Sequence, residues 1–319
     1  MSETVLELNQ VSKFYQKQAA IEDINLHIEQ GEIIGIAGPN GAGKTTLLKI
    51  IAGLIPNFQG SLSLYQSQNK RQLEKARHQL GALIEAPAFF PNLSARQNLT
   101  YFAIQRQIKD ETRIDEVLDL VHLNHTGNKK FKSFSLGMKQ RLGIALALIH
   151  RPKLLILDEP INGLDPEGII QLRQLFKSLA QNDNITLIIS SHILTELESI
   201  ASRFLIIDNG HIIDQFTHAE LMERKKPVIN IQTNDLARTV TLINAHYPTI
   251  KIELVEGKLQ LVDFDIEPYK INELLVQQGL QVSAFYHQVY PLEELFMDII
   301  SKNRGQTSSV TSTTESEVK

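Results

Sequence analysis

The stretch Gly38-Pro-Asn-Gly-Ala-Gly-Lys-Thr45 decides the fold of this chain. It matches the pattern G-x-x-x-x-G-K-[ST], which binds phosphate groups when it joins a strand to a helix. The apolar run before it, residues 32–37, is typical of a buried parallel strand, and residues 44–53 have the pattern of a helix. The required context is therefore present, which disfavours the alternative of a glycine-rich turn without a ligand.

Each residue type in this loop has a chemical purpose. Glycines at positions 38, 41 and 43 let the backbone curl and turn its N–H groups inward around phosphate oxygens. Lys44 places a positive charge among the β- and γ-phosphate oxygens, and the Thr45 hydroxyl is a ligand for Mg²⁺. The loop therefore predicts a nucleoside triphosphate site.

A second acidic element follows far downstream. Residues 154–157 are apolar and end in Asp158 and Glu159, which indicates a central strand whose tip carries carboxylates into the site. We expect Asp158 to hold Mg²⁺, directly or through a water. We expect Glu159 to accept a proton from the attacking water or to orient that water. A solvated acidic loop is the alternative, and the phosphate loop upstream argues against it.

Two further stretches point to phosphate. Ser190-Ser-His192 closes another apolar strand, so His192 would lie at the same carboxyl edge of a parallel sheet and could donate a hydrogen bond to a γ-phosphate. The stretch Phe131-Lys-Ser-Phe-Ser-Leu-Gly-Met-Lys-Gln-Arg141 opens a helix near Ser135, and free amides at a helix start suit an anion. That second anion site needs a ligand other than the one at the phosphate loop.

The whole pattern predicts an α/β fold with a mainly parallel core sheet. We expect a nucleotide-binding domain at residues 1–224, which includes an antiparallel N-terminal β-subdomain and a helical subdomain at about residues 86–152. Residues 204–208 and 211–214, joined by Asn209-Gly210, predict a hairpin with a type I′ turn. At residues 225–302 the sequence predicts strands and helices in the order β-α-β-β-α-β. This order predicts a small α+β domain of ferredoxin-like type. Residues 303–319 are rich in Ser and Thr, which predicts a disordered tail.

Composition excludes some classes of protein. The chain has 319 residues, a formal net charge of −4 and no cysteine, so it has no thiolate site and no general attraction to nucleic acid. No run approaches the roughly 18 apolar residues that a membrane-spanning helix needs. Any role at a membrane must therefore come through a partner.

Together these motifs resemble the nucleotide-binding subunit of ATP-binding cassette (ABC) transporters over about residues 4–224. The resemblance implies a P-loop NTPase fold, ATP and Mg²⁺ as ligands, and two subunits that sandwich ATP. Ser135 and Gly137 of one subunit would then contact the ATP on the other subunit's phosphate loop. The residues that the resemblance places on ATP in the first subunit are Tyr15, Gly38, Pro39, Asn40, Gly41, Ala42, Gly43, Lys44, Thr45 and Thr46.

The sequence departs from the family pattern at specific positions. The pattern Leu-Ser-Gly-Gly-Gln reads Phe134-Ser-Leu-Gly-Met138 here, so Leu136 and Met138 replace a glycine and a glutamine. The resemblance places Tyr15 on adenine, although an aromatic residue at a strand end is often part of a core. Glu85 stands where the family has a glutamine that senses Mg²⁺, the water and the membrane partner. That Glu resembles the bacitracin- and lantibiotic-resistance exporters, and an exposed loop Glu is the alternative.

The resemblance also implies partners. We expect a homodimer, or a heterodimer with a paralogue, that drives a separate membrane permease from the cytoplasmic face of the membrane. Residues 85–107, with a helix N-cap at Ser94, would dock that permease. The substrate would be an antimicrobial peptide or drug, and we expect no nucleic-acid partner.

Two other classes fit less well. A soluble ABC ATPase of DNA repair or of the ribosome would carry long coiled coils or two cassettes, and neither occurs in this sequence. A P-loop kinase or GTPase would leave residues 135–141 and His192 unexplained, and the guanine motif Asn-Lys-x-Asp is absent.

Overall fold

The structure, a computed structural model, describes residues 3–86, 88–225, 227–255, 258–262, 264, 266–288 and 292–314, with side chains of the last helix described through Arg304. Backbone contacts divide the chain into two units, Met1–His218 with Ile299–Lys319, and Ala219–Asp298. The second unit thus begins before residue 225 and ends before residue 302, the bounds expected from the sequence.

The first unit begins with strands and alternates them with helices. Its elements are β1 (Thr4–Tyr15), β2 (Gln18–Glu29), β3 (Ile33–Ala37), α1 (Lys44–Ala52), β4 (Gln59–Leu64), α2 (Lys70–Arg77), β5 (Leu80–Leu83), α3 (Ala95–Gln105), α4 (Thr112–Leu120), α5 (Leu136–Leu148), β6 (Leu154–Asp158), α6 (Pro166–Gln181), β7 (Thr186–Ser191), α7 (Leu194–Glu198), β8 (Arg203–Asp208) and β9 (His211–Thr217).

A six-stranded sheet in the order β5-β6-β7-β3-β8-β9 forms the centre of this unit. Its neighbouring strands are parallel except for β8 and β9. Every residue of β3 and β6 is buried, because helices cover both faces of such a sheet, and this explains their unbroken apolar sequence. Since β6, β7 and β3 are neighbours, their carboxyl ends lie side by side. The phosphate loop, Asp158 and His192 all follow those ends.

A separate antiparallel sheet, in the order β2-β1-β4, confirms the N-terminal β-subdomain. The strands β1 and β2 each span 12 residues. Register shifts interrupt their pairing, and Gln10 and Asp23 have positive φ angles of 51° and 51°. Such bulges break the alternation of buried and exposed residues, so the sequence pattern shows only part of each strand.

The segment between β5 and β6 contains the expected helices α3, α4 and α5. Just before this segment, Leu80–Leu83 forms a strand parallel to β6, which the sequence did not predict. Four residues are too few to show a strand period. The Ser94 cap is confirmed: its hydroxyl accepts from the backbone N–H of Gln97 at 3.2 Å, and the Gln97 side chain accepts from the Ser94 N–H at 2.9 Å.

The hairpin β8–β9 turns at Asn209 and Gly210, whose φ angles are 47° and 83°. Positive φ at both central residues is what a type I′ turn requires, so the predicted turn is confirmed. Asp208, the last residue of β8, has a buried side chain.

The elements from the boundary onward are α8 (His218–Arg224), β10 (Val228–Thr233), α9 (Leu236–His246), β11 (Lys251–Val255), β12 (Lys258–Val262), α10 (Pro268–Gln277), β13 (Val282–Gln288) and α11 (Leu292–Thr314). The second unit has its own sheet, in the order β11-β12-β10-β13, with all neighbouring pairs antiparallel. This is the strand arrangement of a β-α-β-β-α-β unit. Its apolar core joins both helices to the sheet, with Ile243 of α9 and Ile271 of α10 fully buried.

Helix α11 corrects the prediction for the tail. We expected disorder from residue 303, but α11 continues to Thr314, and residues 315–319 lie outside the described part of the chain. The Arg304 guanidinium donates to both carboxylate oxygens of Asp208, at 2.9 and 2.8 Å. A bidentate pair with a buried carboxylate gives this part of the helix a fixed partner in the first unit.

Candidate functional site

The phosphate loop joins β3 to α1 as the sequence predicts. Gly43 precedes the helix with a φ of 107°, a conformation that side chains other than glycine rarely adopt. A Cβ at Gly43 would lie 2.5 Å from the Ala20 carbonyl oxygen, and one at Gly38 would lie 2.3 Å from the Ile207 carbonyl oxygen. These glycines are therefore required by the protein's own backbone, in addition to any phosphate.

Lys44 lies almost completely buried in this loop, with 6% of its surface exposed. Its ammonium donates to the carbonyls of Gly38 and Pro39 at 2.7 and 3.2 Å. Burial lowers the pKa of Lys44, and the Glu159 and Asp158 carboxylates oppose that shift. A cation with so little solvent interacts strongly with any anion that reaches it.

Asp158 connects three elements of the sheet edge. Its Oδ2 accepts a hydrogen bond from the Thr45 hydroxyl of α1 at 2.8 Å, and its Oδ1 accepts one from the Ser190 hydroxyl of β7 at 2.5 Å. The residue is 7% exposed. Thr45 and Asp158 thus present oxygen atoms to one place, and oxygen is the ligand that Mg²⁺ prefers.

Glu159 lies next to this pair in a strained conformation, with a φ of 49°. Its backbone N–H donates to the Ser190 hydroxyl at 3.0 Å. Its carboxylate accepts from Nδ2 of Asn162 at 3.2 Å, and Oε1 lies 4.0 Å from Nζ of Lys44. A non-glycine residue in this region persists where its surroundings hold it, and such residues are frequent at functional sites.

His192 contacts the same carboxylate. Its Nδ1 lies 2.8 Å from Oε2 of Glu159, and nearly half of its side chain is exposed. An ionised carboxylate only accepts hydrogen bonds, so Nδ1 carries the proton in this contact. The other ring nitrogen, Nε2, remains for a further partner. The structure therefore brings together Lys44, Thr45, Asp158, Glu159 and His192.

Two other predicted residues lie apart from this cluster. The side chain of Glu85 is 63% exposed and pairs with Nζ of Lys49 at 2.5 Å, and among the described residues no hydrogen bond joins it to Thr45 or Asp158. Lys49 follows Thr45 by one turn of α1, so Glu85 is held beside the same face of that helix. Tyr15 ends β1, is 51% exposed, and has Nζ of Lys13 5.2 Å from its ring centroid.

Ser135 and Gly137 lie in a different cleft. The Ser135 hydroxyl accepts from the Met138 N–H at 3.2 Å and so caps α5. The open cleft beside it has a volume of about 710 Å³ and is also lined by Gly163 and Leu164. Within the described part of the chain, neither Ser135 nor Gly137 hydrogen-bonds to the phosphate loop.

Three residues hold the site together in ways that the sequence did not indicate, although Ser190 lies in the stretch Ser190-Ser-His192 and Asn162 begins the motif Asn162-Gly-Leu-Asp165, which is part of the family resemblance. Ser190 bridges Asp158 and Glu159, Asn162 holds the Glu159 carboxylate, and Nε2 of Gln140 donates to the Glu159 carbonyl at 3.3 Å. The nearness of Ser190 to His192 in sequence could have indicated the first. The contact from α5 gives no sequence signal, because it arises only in the tertiary structure.

Comparison with known proteins agrees with this geometry. Residues 21–162 match the family described as "ABC transporter". The bacitracin transport ATP-binding protein BcrA of Bacillus licheniformis is 37% identical over 298 residues, which are 93% of this chain and 97% of that protein. The lantibiotic transport ATP-binding protein SrtF of Streptococcus pyogenes is 41% identical over 210 residues, 66% of this chain and 89% of that protein.

A solved structure has the same fold. The dimeric structure of a post-hydrolysis state of the ATP-binding cassette MJ0796 bound to ADP and Pi has a TM-score of 0.62 and 26% identity, and covers 67% of this chain and 98% of that one. In the described residues, no helix is both long and apolar enough to cross a membrane. The chain belongs to the ATP-binding proteins of ABC transporters and is an ATPase of that family.

Proposed function

We propose that residues 38–46 bind the phosphates of ATP and that Glu159 accepts a proton from the attacking water. The observation that carries this proposal is the position of the Glu159 carboxylate, which lies 2.8 Å from His192 and 4.0 Å from the Lys44 ammonium. A base between a buried cation and a histidine suits in-line attack on a γ-phosphate. Nε2 of His192 would contact that phosphate.

Mg²⁺ fits beside this base. The Thr45 hydroxyl and the Asp158 carboxylate are 2.8 Å apart and offer the oxygen donors that Mg²⁺ takes together with substrate phosphates. Bound there, Mg²⁺ would supply positive charge against the phosphate oxygens. Glu85 stays a prediction as a further ligand, since its side chain pairs with Lys49.

The second anion site is completed by another subunit. The start of α5 presents Ser135 and Gly137 in an open cleft, and the similar MJ0796 cassette is dimeric. We propose that these residues contact the ATP held by the partner's phosphate loop, in a homodimer or in a dimer with a related chain. The exposed Tyr15 would stack on adenine.

The dimer would power a separate membrane permease from the inner face of the membrane. Residues 85–107 carry exposed apolar side chains suited to a protein partner: Phe90 is 42%, Tyr101 47% and Ile104 73% exposed. The rings of Phe90 and Tyr101 pack edge to face with their centroids 4.7 Å apart, so these two side chains form one apolar patch. The named activities of BcrA and SrtF support an antimicrobial peptide or drug as the substrate.

The Glu159→Gln variant tests the proposal. Removing the base should lower turnover by about 10² to 10⁴, while the loop still binds ATP. The variant should therefore elute as a dimer on gel filtration with ATP and Mg²⁺, and as a monomer without them. The matched control, Glu74→Gln, changes an exposed carboxylate of α2 and should leave turnover unaltered. Normal turnover of Glu159→Gln, or a monomer in ATP, would contradict the assignment.

A second experiment identifies the permease. The tagged chain is purified from detergent-solubilised host membranes, and the integral membrane protein that elutes with it is determined by mass spectrometry. The triple variant F90A/Y101A/I104A should lose that partner while it keeps its own ATPase activity. Retention of the partner would exclude the 85–107 surface.

A further inference from the structure

We propose that Leu136, the residue that replaces a glycine of the family pattern, is a positioning residue for the base Glu159. It acts by packing on Gly163 in the loop 162–165, and this inference rests on the function proposed above. The start of α5 and that loop hold each other through two reciprocal contacts, each between a leucine of one segment and a glycine of the other.

The first contact is between Leu136 and Gly163. Gly163 has a φ of 77°, and a Cβ built on it would lie 2.2 Å from Cδ2 and 2.8 Å from Cγ of Leu136. The leucine side chain therefore occupies the space where a larger residue at position 163 would need to be. Leu136 is 62% exposed, so it covers this glycine without belonging to the core.

The second contact is the reverse arrangement, in which Leu164 of the loop packs on Gly137 of α5. A Cβ on Gly137 would lie 2.8 Å from Cδ2 of Leu164 and 3.3 Å from the Gly163 carbonyl oxygen. Leu164 thus lies against the helix start where α5 has no side chain. Because the two contacts are adjacent and run in opposite directions, neither segment can slide along the other without a clash.

The loop 162–165 is hydrogen-bonded to Glu159, so its position affects the position of this base. The N–H of Asn162 donates to the Glu159 carbonyl at 3.3 Å, and its side-chain amide donates to the Glu159 carboxylate at 3.2 Å. The other end of the loop is fixed by Asp165, whose carboxylate accepts from the Gly168 N–H at 3.2 Å and caps α6. A displacement of Gly163 must therefore move Asn162, since the distal end is anchored.

Helix α5 also reaches Glu159 directly. The Gln140 side chain, buried one turn after Leu136, donates to the Glu159 carbonyl at 3.3 Å. The helix start that would grip the partner's ATP is thus connected to the base that acts on the subunit's own ATP. Leu136 sets the position of the loop 162–165 between the helix start and the base. Its side chain fills the space that the missing side chain of Gly163 leaves open.

A double-mutant cycle of L136A, G163A and L136A/G163A tests this inference. L136A should lower kcat at saturating ATP by about fivefold or more, with the affinity of the monomer for ATP within about twofold, because the phosphate loop is untouched. G163A should lower kcat further, because its Cβ meets the leucine and because a side chain at a φ of 77° strains the backbone, a strain that the double variant keeps. The double variant should recover at least about tenfold over G163A, because the shorter side chain at position 136 removes the clash.

Two control variants and the exposed position of Leu136 separate a positioning effect from a loss of stability. L136M retains the length of the side chain and should restore most of the kcat that L136A loses. A change in stability alone would not make kcat of L136M higher than kcat of L136A in this way. I170A truncates a side chain of α6 with 53% exposure and should have no effect. L136A is exposed and folds even if G163A does not, so its kcat alone is informative.

Wild-type kcat in L136A, or independent effects of the two substitutions, would overturn the inference. If Glu159→Gln still forms the ATP-dependent dimer, only this inference fails and the proposed function stands. If Glu159→Gln forms no such dimer, the proposed function itself fails.

Discussion

The Thr45 hydroxyl donates a hydrogen bond of 2.8 Å to Oδ2 of Asp158, although 113 positions separate the two residues. The other oxygen of the same carboxylate accepts from Ser190 at 2.5 Å. A buried charge needs such partners, because an unpaired one costs several kcal/mol. This carboxylate therefore ties the phosphate loop, the end of β6 and the end of β7 into one rigid group.

Ser190→Ala should weaken that group. The substitution removes a hydrogen bond to a buried charge. Within the described part of the chain, it leaves the Glu159 N–H with the carbonyl of residue 190 at 3.2 Å as its one acceptor. We expect a loss of about 1.5–3 kcal/mol in the free energy of unfolding, measured with urea, and a several-fold drop in turnover. Ser191→Ala is the matched control in the same strand, since the hydrogen bond that its hydroxyl accepts among the described residues comes from a neutral group, the Ile193 N–H at 3.0 Å. Equal losses of stability and turnover in both variants would show that the charge of the Asp158 carboxylate does not matter.

Mixing two inactive variants should restore activity if ATP is shared between subunits. Lys44→Ala disables the phosphate loop, and Ser135→Arg fills the cleft at the start of α5. Each homodimer lacks both complete sites, but a mixed dimer keeps one. Random pairing puts about half of the chains in mixed dimers, so roughly a quarter of the sites should be complete. ATP turnover of the equimolar mixture is the measurement.

The double variant K44A/S135R is the control for this mixture. Combined with Lys44→Ala it cannot form a complete site, so its turnover should stay at the background. Ser133→Arg, also exposed and close in sequence, should leave turnover of the unmixed protein intact. Recovery in the control mixture, or none in the test mixture, would argue against a shared site.

Arg304→Ala should destabilise the first unit. The substitution removes both donors from the buried Asp208 carboxylate and leaves it the Asn209 amide at 3.2 Å. We expect a lower Tm by calorimetry, because a buried carboxylate without its cation is unfavourable. Lys302→Ala, an exposed change in the same helix, should leave Tm unchanged. An unchanged Tm in Arg304→Ala would mean that α11 beyond residue 302 adds no stability.

Stability should fall in mild acid because of His150. Burial lowers the pKa of His150, Arg106, Arg113 and His78 lower it further, and the hydrogen bond to the Leu80 carbonyl at 3.1 Å opposes them. The folded chain therefore keeps this ring neutral where the unfolded chain protonates it. Its contribution is present above the unfolded pKa of about 6.5 and is lost as pH falls toward the lower folded pKa.

His150→Gln should reduce this pH dependence. Urea unfolding at about pH 7.5 and about pH 5.5 should show a smaller loss of stability in the variant than in the unchanged chain, because glutamine can still donate to Leu80 but does not titrate. His125→Gln, an exposed change, should keep the original dependence. The assignment is wrong if both variants keep the same slope as the unchanged chain.

The chemistry of the main site was accessible from the sequence because each motif is local. Residues 38–45 carry their own turn and helix start, residues 154–157 before Asp158 are all apolar, and the strand before His192 contains the apolar residues 187–189. Parallel strands must end at one edge, so three motifs could be placed together before the structure was known. The hairpin turn at Asn209-Gly210 was accessible for the same reason, since positive φ at both positions is a property of those residues.

Short or interrupted secondary-structure elements could not be predicted from the sequence. The strand Leu80–Leu83 is too short to show a period, and β1 and β2 contain bulges that interrupt theirs. Helix α11 continues past residue 302 through a region of low apolar content, where composition alone indicated disorder. At Arg304 the helix is held by an ion pair with Asp208, which lies far away in the sequence.

By itself the sequence determined which groups carry the ATP chemistry, because backbone curvature, charge and strand burial follow from residue type over a few neighbours. Only the tertiary structure decided how those groups are held. The contacts of Glu159 with Asn162, His192 and Gln140, and the fit of Leu136 on Gly163, join segments that are apart in the chain. Such contacts depend on distances of a few ångströms set by the packed elements, and no local pattern records them.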